Sequence, residues 1–109
     1  MKVFITGGSG LLGQYLNKSF ASDHEIVTVY NSHAGNCLSY DSHRLDLTEW
    51  KTLKDLSTHN KPDVVVHTAA ISRPETCDKL SRAEVFDVNV KVTENLAGLC
   101  ADYSSRIIF

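Results

Sequence analysis

The stretch Thr6-Gly7-Gly8-Ser9-Gly10-Leu11-Leu12-Gly13 restricts what this chain can fold into more than any other feature. Glycines at 7, 10 and 13 give a G-x-x-G-x-x-G spacing directly after a short apolar run, Lys2 to Thr6, which reads as a strand. The residues that follow place Leu11, Leu12, Tyr15, Leu16 and Phe20 at helical spacing, a pattern that puts them on one side of a helix. Strand, glycine turn and helix therefore succeed one another without a break. In that order each glycine has its own task. Gly7 permits the sharp turn off the strand, Gly10 lets the backbone approach a bound group with no Cβ in the way, and Gly13 lets the helix close on the sheet.

A glycine triplet alone is a weak signal, because tight turns are rich in glycine. The context is more demanding. Glu25 to Tyr30 (EIVTVY) is rich in β-branched residues and ends in Asn31-Ser32, a turn-forming pair, so a strand-helix-strand unit is complete by residue 30. A pyrophosphate would then sit over the free N–H groups at the positive end of the first helix, and the motif reads as dinucleotide-binding. A Walker phosphate loop is excluded, since no Lys-Ser or Lys-Thr follows the glycines.

Further along, Asn31 to Ser42 is polar and reads as a surface loop, ahead of a brief third strand at His43 to Leu45. Thr48 to His59 reads as a helix, with Thr48 as its N-cap, Glu49 at the positive end of its dipole, and Trp50, Leu53 and Leu56 along one side. Pro62 ends it, and Asp63 to His67 (DVVVH) is the continuous apolar run of a strand buried on both faces. After a loop from Ala69 to Asp78, the residues Val85, Val88, Val92, Leu96, Leu99 and Tyr103 mark a long helix, and Arg106 to Phe109 opens a fifth strand. Strands alternating with helices imply an α/β fold, a doubly wound parallel sheet of Rossmann type with strand order 3-2-1-4-5. Residues 1–109 are expected to be one such domain, the N-terminal fragment of a larger reductase, truncated after strand 5. Such a chain is expected to expose apolar sheet surface and to aggregate or associate into homo-oligomers.

Composition narrows the partners. An apolar share of 42% and a charged share of 22% are ordinary for a globular chain. Eleven Lys and Arg against thirteen Asp and Glu, with no long like-charge run, leave no footprint for nucleic acid and no polybasic membrane patch. Cys37, Cys77 and Cys100 are odd in number and widely spaced, which fits reduced thiols and a cytoplasmic location better than a disulfide framework or a metal cluster.

The end of the second strand reports on the adenosine ribose. An acidic side chain there favours NAD, but this chain has Tyr30, Asn31, Ser32 and His33. With no carboxylate to repel a 2′-phosphate, NADP is the expected cofactor and NAD is allowed. Arg44 supplies positive charge if its loop folds back, and is otherwise a solvated surface arginine.

TGGSGLLG at the start, Asp46-Leu47 after strand three, His67-Thr68-Ala69-Ala70 after strand four and Asn89 in the next helix together resemble the extended short-chain dehydrogenase/reductases. Within that family the chain is most similar to the dTDP-4-dehydrorhamnose reductase group, which includes the regulatory β subunit of methionine adenosyltransferase. The resemblance covers the whole chain. It implies that Gly7 and Ser9, Gly10, Leu11, Leu12 and Gly13 surround the pyrophosphate, and that Tyr30, Asn31, Ser32 and His33 surround the ribose 2′ position. It implies that Asp46 accepts a hydrogen bond from the adenine amino group with Leu47 against the ring, although Asp46 also stands where a helix N-terminal carboxylate would. Thr68, Ala69, Ala70, Ile71 and Ser72 would line the nicotinamide ribose. Asn89 would support the active-site backbone, or equally bridge to a neighbouring loop, and Arg73 would open a substrate-facing loop or be a solvated loop residue.

In that family a Ser or Thr after strand five and a Tyr-x-x-x-Lys pair deliver the proton that accompanies hydride transfer. Tyr15, Tyr30, Tyr40 and Tyr103 have no lysine four residues later, so no residue here is assigned as catalytic. The function implied is NADP(H)-dependent reduction of a nucleotide-linked 4-keto sugar, with this chain supplying the dinucleotide-binding part. The alternatives are a non-catalytic nucleotide-binding regulatory subunit and a sugar-nucleotide epimerase or dehydratase.

Overall fold

Val3 to Thr6 have no polar residue that must reach water, and such a strand needs neighbours on both edges and cover on both faces. The computed structural model, which describes residues 1–69 and 87–108, supplies them. β1 (Lys2–Thr6) lies between β2 (Glu25–Tyr30) and β4 (Val64–His67), with Val3 opposite both Ile26 and Val64. β3 (Asp41–Arg44) adds to β2 with Arg44 opposite Tyr30, and β5 (Arg106–Ile108) adds to β4 with Ile107 opposite Val65. Every pairing is parallel, and the sheet order is β3-β2-β1-β4-β5, as the alternation of strands and helices predicts.

The period of two along each strand sorts the core into two layers. Phe4, Val27, Val29 and Val65 face Leu53 of α2 (Trp50–Asn60) and Val92, Leu96 and Cys100 of α3 (Val92–Asp102). Val3, Ile5, Ile26, Val64 and Val66 face the other way, against Leu16, Phe20 and Ala21 of α1 (Leu11–Ala21). Helices thus cover both faces, which is the doubly wound arrangement. Over β4 and β5 the α1 side holds a cavity of about 680 Å³, lined among the described residues by Met1, Val3, Phe20, Val64, Val66 and Ile108 with others. None of the described helices is long and apolar enough to cross a membrane.

Several local expectations need correction. Leu11, Leu12 and Tyr15 are 94%, 58% and 70% exposed, so the expected apolar side of α1 is not its buried side in the first turns. The helix instead meets the sheet and glycine turn through Gly13, Leu16, Asn17 and Phe20, because the absence of a Cβ at Gly13 draws its N-terminal half against the turn. Helix α2 begins at Trp50 rather than Thr48. The reason is Asp46, whose Oδ1 accepts from both the N–H (2.9 Å) and the hydroxyl (2.7 Å) of Thr48 and holds that residue in a turn outside the helix. Lys61, left-handed at φ 45°, closes α2 just before Pro62. β3 comprises Asp41–Arg44, beginning two residues and ending one residue earlier than read from sequence, and the polar loop before it holds a 3-10 turn at Cys37–Ser39. Helix α3 is preceded by a π-helical turn, Asp87–Lys91, and buries Val92, Leu96 and Leu99 as expected. Tyr103 lies past its end, bonded through its hydroxyl to the Thr58 hydroxyl at 2.7 Å. Val85 and residues 70–78, which include Cys77 and most of the stretch expected to be a loop, lie outside the described residues.

Candidate functional site

The glycine turn is built from short contacts that leave no space for a side chain at Gly7, Gly8 or Gly13. Gly8 N–H donates to Val29 O at 2.9 Å, tying the turn to β2, and Gly10 N–H donates to Gly7 O at 3.0 Å, closing it. Gly7 has φ +68°, and a Cβ there would lie 2.7 Å from the Ala69 nitrogen. A Cβ on Gly13 would lie 2.0 Å from Gly7 O, so α1 can approach only as glycine. The helix starts at Leu11 with no acidic residue in its first turn. The N–H groups of Leu11 and Leu12 therefore point out of the helix end with no carboxylate competing for the positive pole.

Above this turn, at the C-terminal ends of β1, β2 and β4, the strand order reverses about β1 and leaves a crevice. It encloses about 410 Å³, within the range of small-molecule sites. Of the residues singled out from sequence, Gly7, Ser9, Gly10, Tyr30, Asn31, Ser32, His33, Asp46, Leu47, Thr68 and Ala69 all line it. Val29 and Leu45 line it too and were missed, because each reads as plain strand core. Leu11, Leu12 and Gly13 stand beside it at the start of α1 without lining it. Asn89, half-buried in the π-turn with its carbonyl accepting from the Thr93 hydroxyl at 3.2 Å, is not among the lining residues either. Ala70, Ile71, Ser72 and Arg73 lie outside the described residues.

Asp46 stands both ahead of α2 and at the cleft. Its Oδ1 is taken by Thr48, which makes it the carboxylate ahead of α2, and the exposed side chain still borders the cleft. Leu47 is buried in the core cluster while forming part of the cleft wall. Arg44, opposite Tyr30 at the end of β3, is exposed and makes no ion pair among the described residues.

Beneath the cleft floor lies a polar chain that sequence reading did not anticipate. Ala69 N–H approaches Thr6 Oγ1 at 3.4 Å, Thr6 Oγ1 lies 2.6 Å from His67 Nδ1, and the Thr68 hydroxyl donates to Thr6 O at 2.7 Å. Thr6 Oγ1 keeps a second lone pair besides the one that faces Ala69, so the tautomer of His67 decides which of Thr6 Oγ1 and His67 Nδ1 donates. Burial holds the His67 pKa below its ordinary 6.5. A histidine kept neutral when folded contributes full stability above pH 6.5. That contribution falls as pH drops below 6.5, where the unfolded chain gains a proton that the folded one resists. We expect the protein to lose stability as pH falls from 6.5 to 5.5, with this group contributing to the slope. His67→Asn, which keeps a hydrogen-bonding group toward Thr6, should remove that part of the slope in paired thermal melts; identical slopes in both proteins would refute it.

An open parallel sheet that reverses its strand order over a glycine turn at a helix N-terminus is a Rossmann-class α/β fold. Residues 3–109 match the NAD dependent epimerase/dehydratase family, and the chain belongs to that family. It is 28% identical over 115 residues to a dTDP-4-dehydrorhamnose reductase of Burkholderia thailandensis, covering 100% of this chain and 35% of that protein. It is 31% identical over 114 residues to methionine adenosyltransferase 2 subunit beta of Xenopus laevis, covering 99% of this chain and 31% of that protein. Among solved structures, the Bordetella bronchiseptica enzyme WbmG in complex with NAD superposes with a TM-score of 0.83 at 28% identity, covering 98% of this chain and 36% of that one. The chain thus spans about a third of the length of these relatives.

Proposed function

We propose that this chain is the dinucleotide-binding part of an NADP(H)-dependent reductase acting on a nucleotide-linked 4-keto sugar. The observation that carries the cofactor half is the cleft itself, in which a glycine turn at an uncontested helix N-terminus faces a strand-end turn of Asn31, Ser32 and His33 with no carboxylate in it. These residues fit the group. The N–H groups of Leu11 and Leu12, with Ser9 and Gly10, receive the pyrophosphate, and Gly7 and Gly13 keep the backbone close enough for them to do so. Asn31, Ser32 and His33 donate to a 2′-phosphate, with Tyr30 beside them and Arg44 opposite Tyr30 on the neighbouring strand. The adenine lies against Leu47 with Asp46 toward its amino group. Thr68 and Ala69, continued by Ala70, Ile71 and Ser72, take the nicotinamide ribose, and Asn89 supports that backbone.

A bound nicotinamide would supply hydride; the described residues position it and hold His67 neutral beneath the floor. The similarity to a dTDP-4-dehydrorhamnose reductase supports the substrate class. The similarity to methionine adenosyltransferase 2 subunit beta supports a second reading, a regulatory subunit that binds the dinucleotide without turnover. The test is parallel titration of NADPH and NADH against the full-length protein, with turnover followed on a dTDP-4-keto sugar. Tighter NADPH binding with turnover is the expected result. NADPH binding without turnover moves the protein to the regulatory reading, and no dinucleotide binding refutes both.

A further inference from the structure

The loop between β2 and β3 has two halves. Its first, Asn31 to His33, lines the cleft, while its second turns inward and packs under the glycine turn. Asn17, on α1, is fully buried. Its Nδ2 donates to Gly8 O at 3.0 Å and to Asn36 Oδ1 at 2.9 Å. Gly8 O can only accept, so the orientation of the Asn17 amide is fixed. Asn36 in turn donates through Nδ2 to Gln14 O at 2.9 Å, and Gln14 Nε2 returns to Ser9 O at 3.0 Å. Cys37, also fully buried, sits with its Sγ 3.6 Å from Asn17 Nδ2 and 3.7 Å from Thr28 Oγ1. Gly35, at φ +54°, brings the loop so close to α1 that a Cβ would lie 2.7 Å from the Gln14 side chain.

Buried polar groups of this kind are costly unless they are paired, and this network pairs its groups except Asn17 Oδ1, which is buried without a partner among the described residues, so it favours one arrangement. This one joins Gly8 and Ser9 of the pyrophosphate turn to the residues that directly follow His33. We propose that Asn17, Asn36 and Cys37 form a buried latch that sets the ribose-facing turn against the glycine turn. Discrimination at the ribose 2′ position is thereby governed by residues outside the cleft lining. The proposal rests on the reading of the cleft as a dinucleotide site. Asn17, Asn36 and Cys37 are positioning residues. NADPH depends on the latch more than NADH, because only the 2′-phosphate draws on Asn31, Ser32 and His33, whereas both cofactors draw on the glycine turn.

Asn17→Ala leaves other buried groups unpaired and risks misfolding, so the informative variant is Asn36→Ala in the full-length protein. Asn36 is half-buried, and its loss removes the bonds to Asn17 and Gln14 without opening the core. NADPH affinity is expected to fall by about tenfold, the loss of one to two net hydrogen bonds, with NADH affinity changed by less. The second readout is the rate at which Cys37 reacts with a thiol reagent, referred to buried Cys100 on α3. Asn36→Ala should speed labelling of Cys37 relative to Cys100, and bound NADPH should slow it in the wild type. If wild type binds NADPH but the variant leaves both the NADPH/NADH ratio and the Cys37 rate unchanged, the latch is refuted while the dinucleotide site stands. If wild type binds neither cofactor, the functional reading fails, and the latch proposal with it.

Discussion

Gly13→Ala should abolish high-affinity dinucleotide binding and destabilise the full-length protein together. The added Cβ would lie 2.0 Å from Gly7 O and 2.8 Å from Gly8 Cα, and both are backbone atoms that no rotamer change can clear. Helix α1 must then move away from the turn, taking its first N–H groups with it. Overpacking of this kind costs about 1–3 kcal/mol, and withdrawing the helix end should weaken binding on the order of a hundredfold. Gly10→Ala is the control. A Cβ there would meet only Gly7 O, at an acceptable 3.4 Å, and the residue's φ of −73° suits alanine. It should therefore weaken binding by standing in the approach of the pyrophosphate while leaving the melting temperature nearly unchanged. Equal melting temperatures for Gly13→Ala and wild type would overturn the packing argument.

Ser32→Asp should invert the cofactor preference. Ser32 is exposed at the cleft wall, so the fold should tolerate the change to within about 0.5 kcal/mol. A carboxylate at this turn repels a 2′-phosphate and accepts from ribose hydroxyls. The ratio of NADPH to NADH dissociation constants is expected to shift toward NADH by on the order of a hundredfold. Ser32→Asn, which adds bulk without charge, should leave the ratio within a few-fold. A ratio unmoved by Ser32→Asp would place the ribose elsewhere than against Asn31, Ser32 and His33.

The strand order was readable in advance because parallel strands need crossovers, and the alternation of apolar runs with helical stripes leaves few topologies. Most of the cleft wall was readable too, since it sits where strands end and the glycine motif fixes one such end. What sequence hid was of two kinds. On α1 the bulky residues Leu11, Leu12 and Tyr15 mimic a buried stripe, while the contact runs through Gly13 and Asn17, a glycine and an amide that hydrophobic periodicity does not count. The other kind is polar. Asn17, Asn36 and Cys37 are brought together by tertiary packing across about twenty positions, and Thr6 and His67 across 61, distances over which no local pattern speaks. Helix α2 started late for a related reason, because Asp46 competes with the helix for Thr48.

The pairing of β1 with β4 also dictates an order of assembly. The glycine turn and its helix are complete once β2 has formed beside β1 and Asn36 and Cys37 have packed under the turn, within the first 37 residues. The crevice is not, because its second wall arrives only when Val64–His67 docks on the other edge of β1, closing a loop of 61 residues between Thr6 and His67. Non-local closures of this length are slow compared with helix and turn formation. A chain emerging from the ribosome would therefore carry a finished phosphate turn well before it could hold a cofactor. Dinucleotide affinity in a series of nascent chains of increasing length should appear in one step, at the length where β4 becomes free to pair.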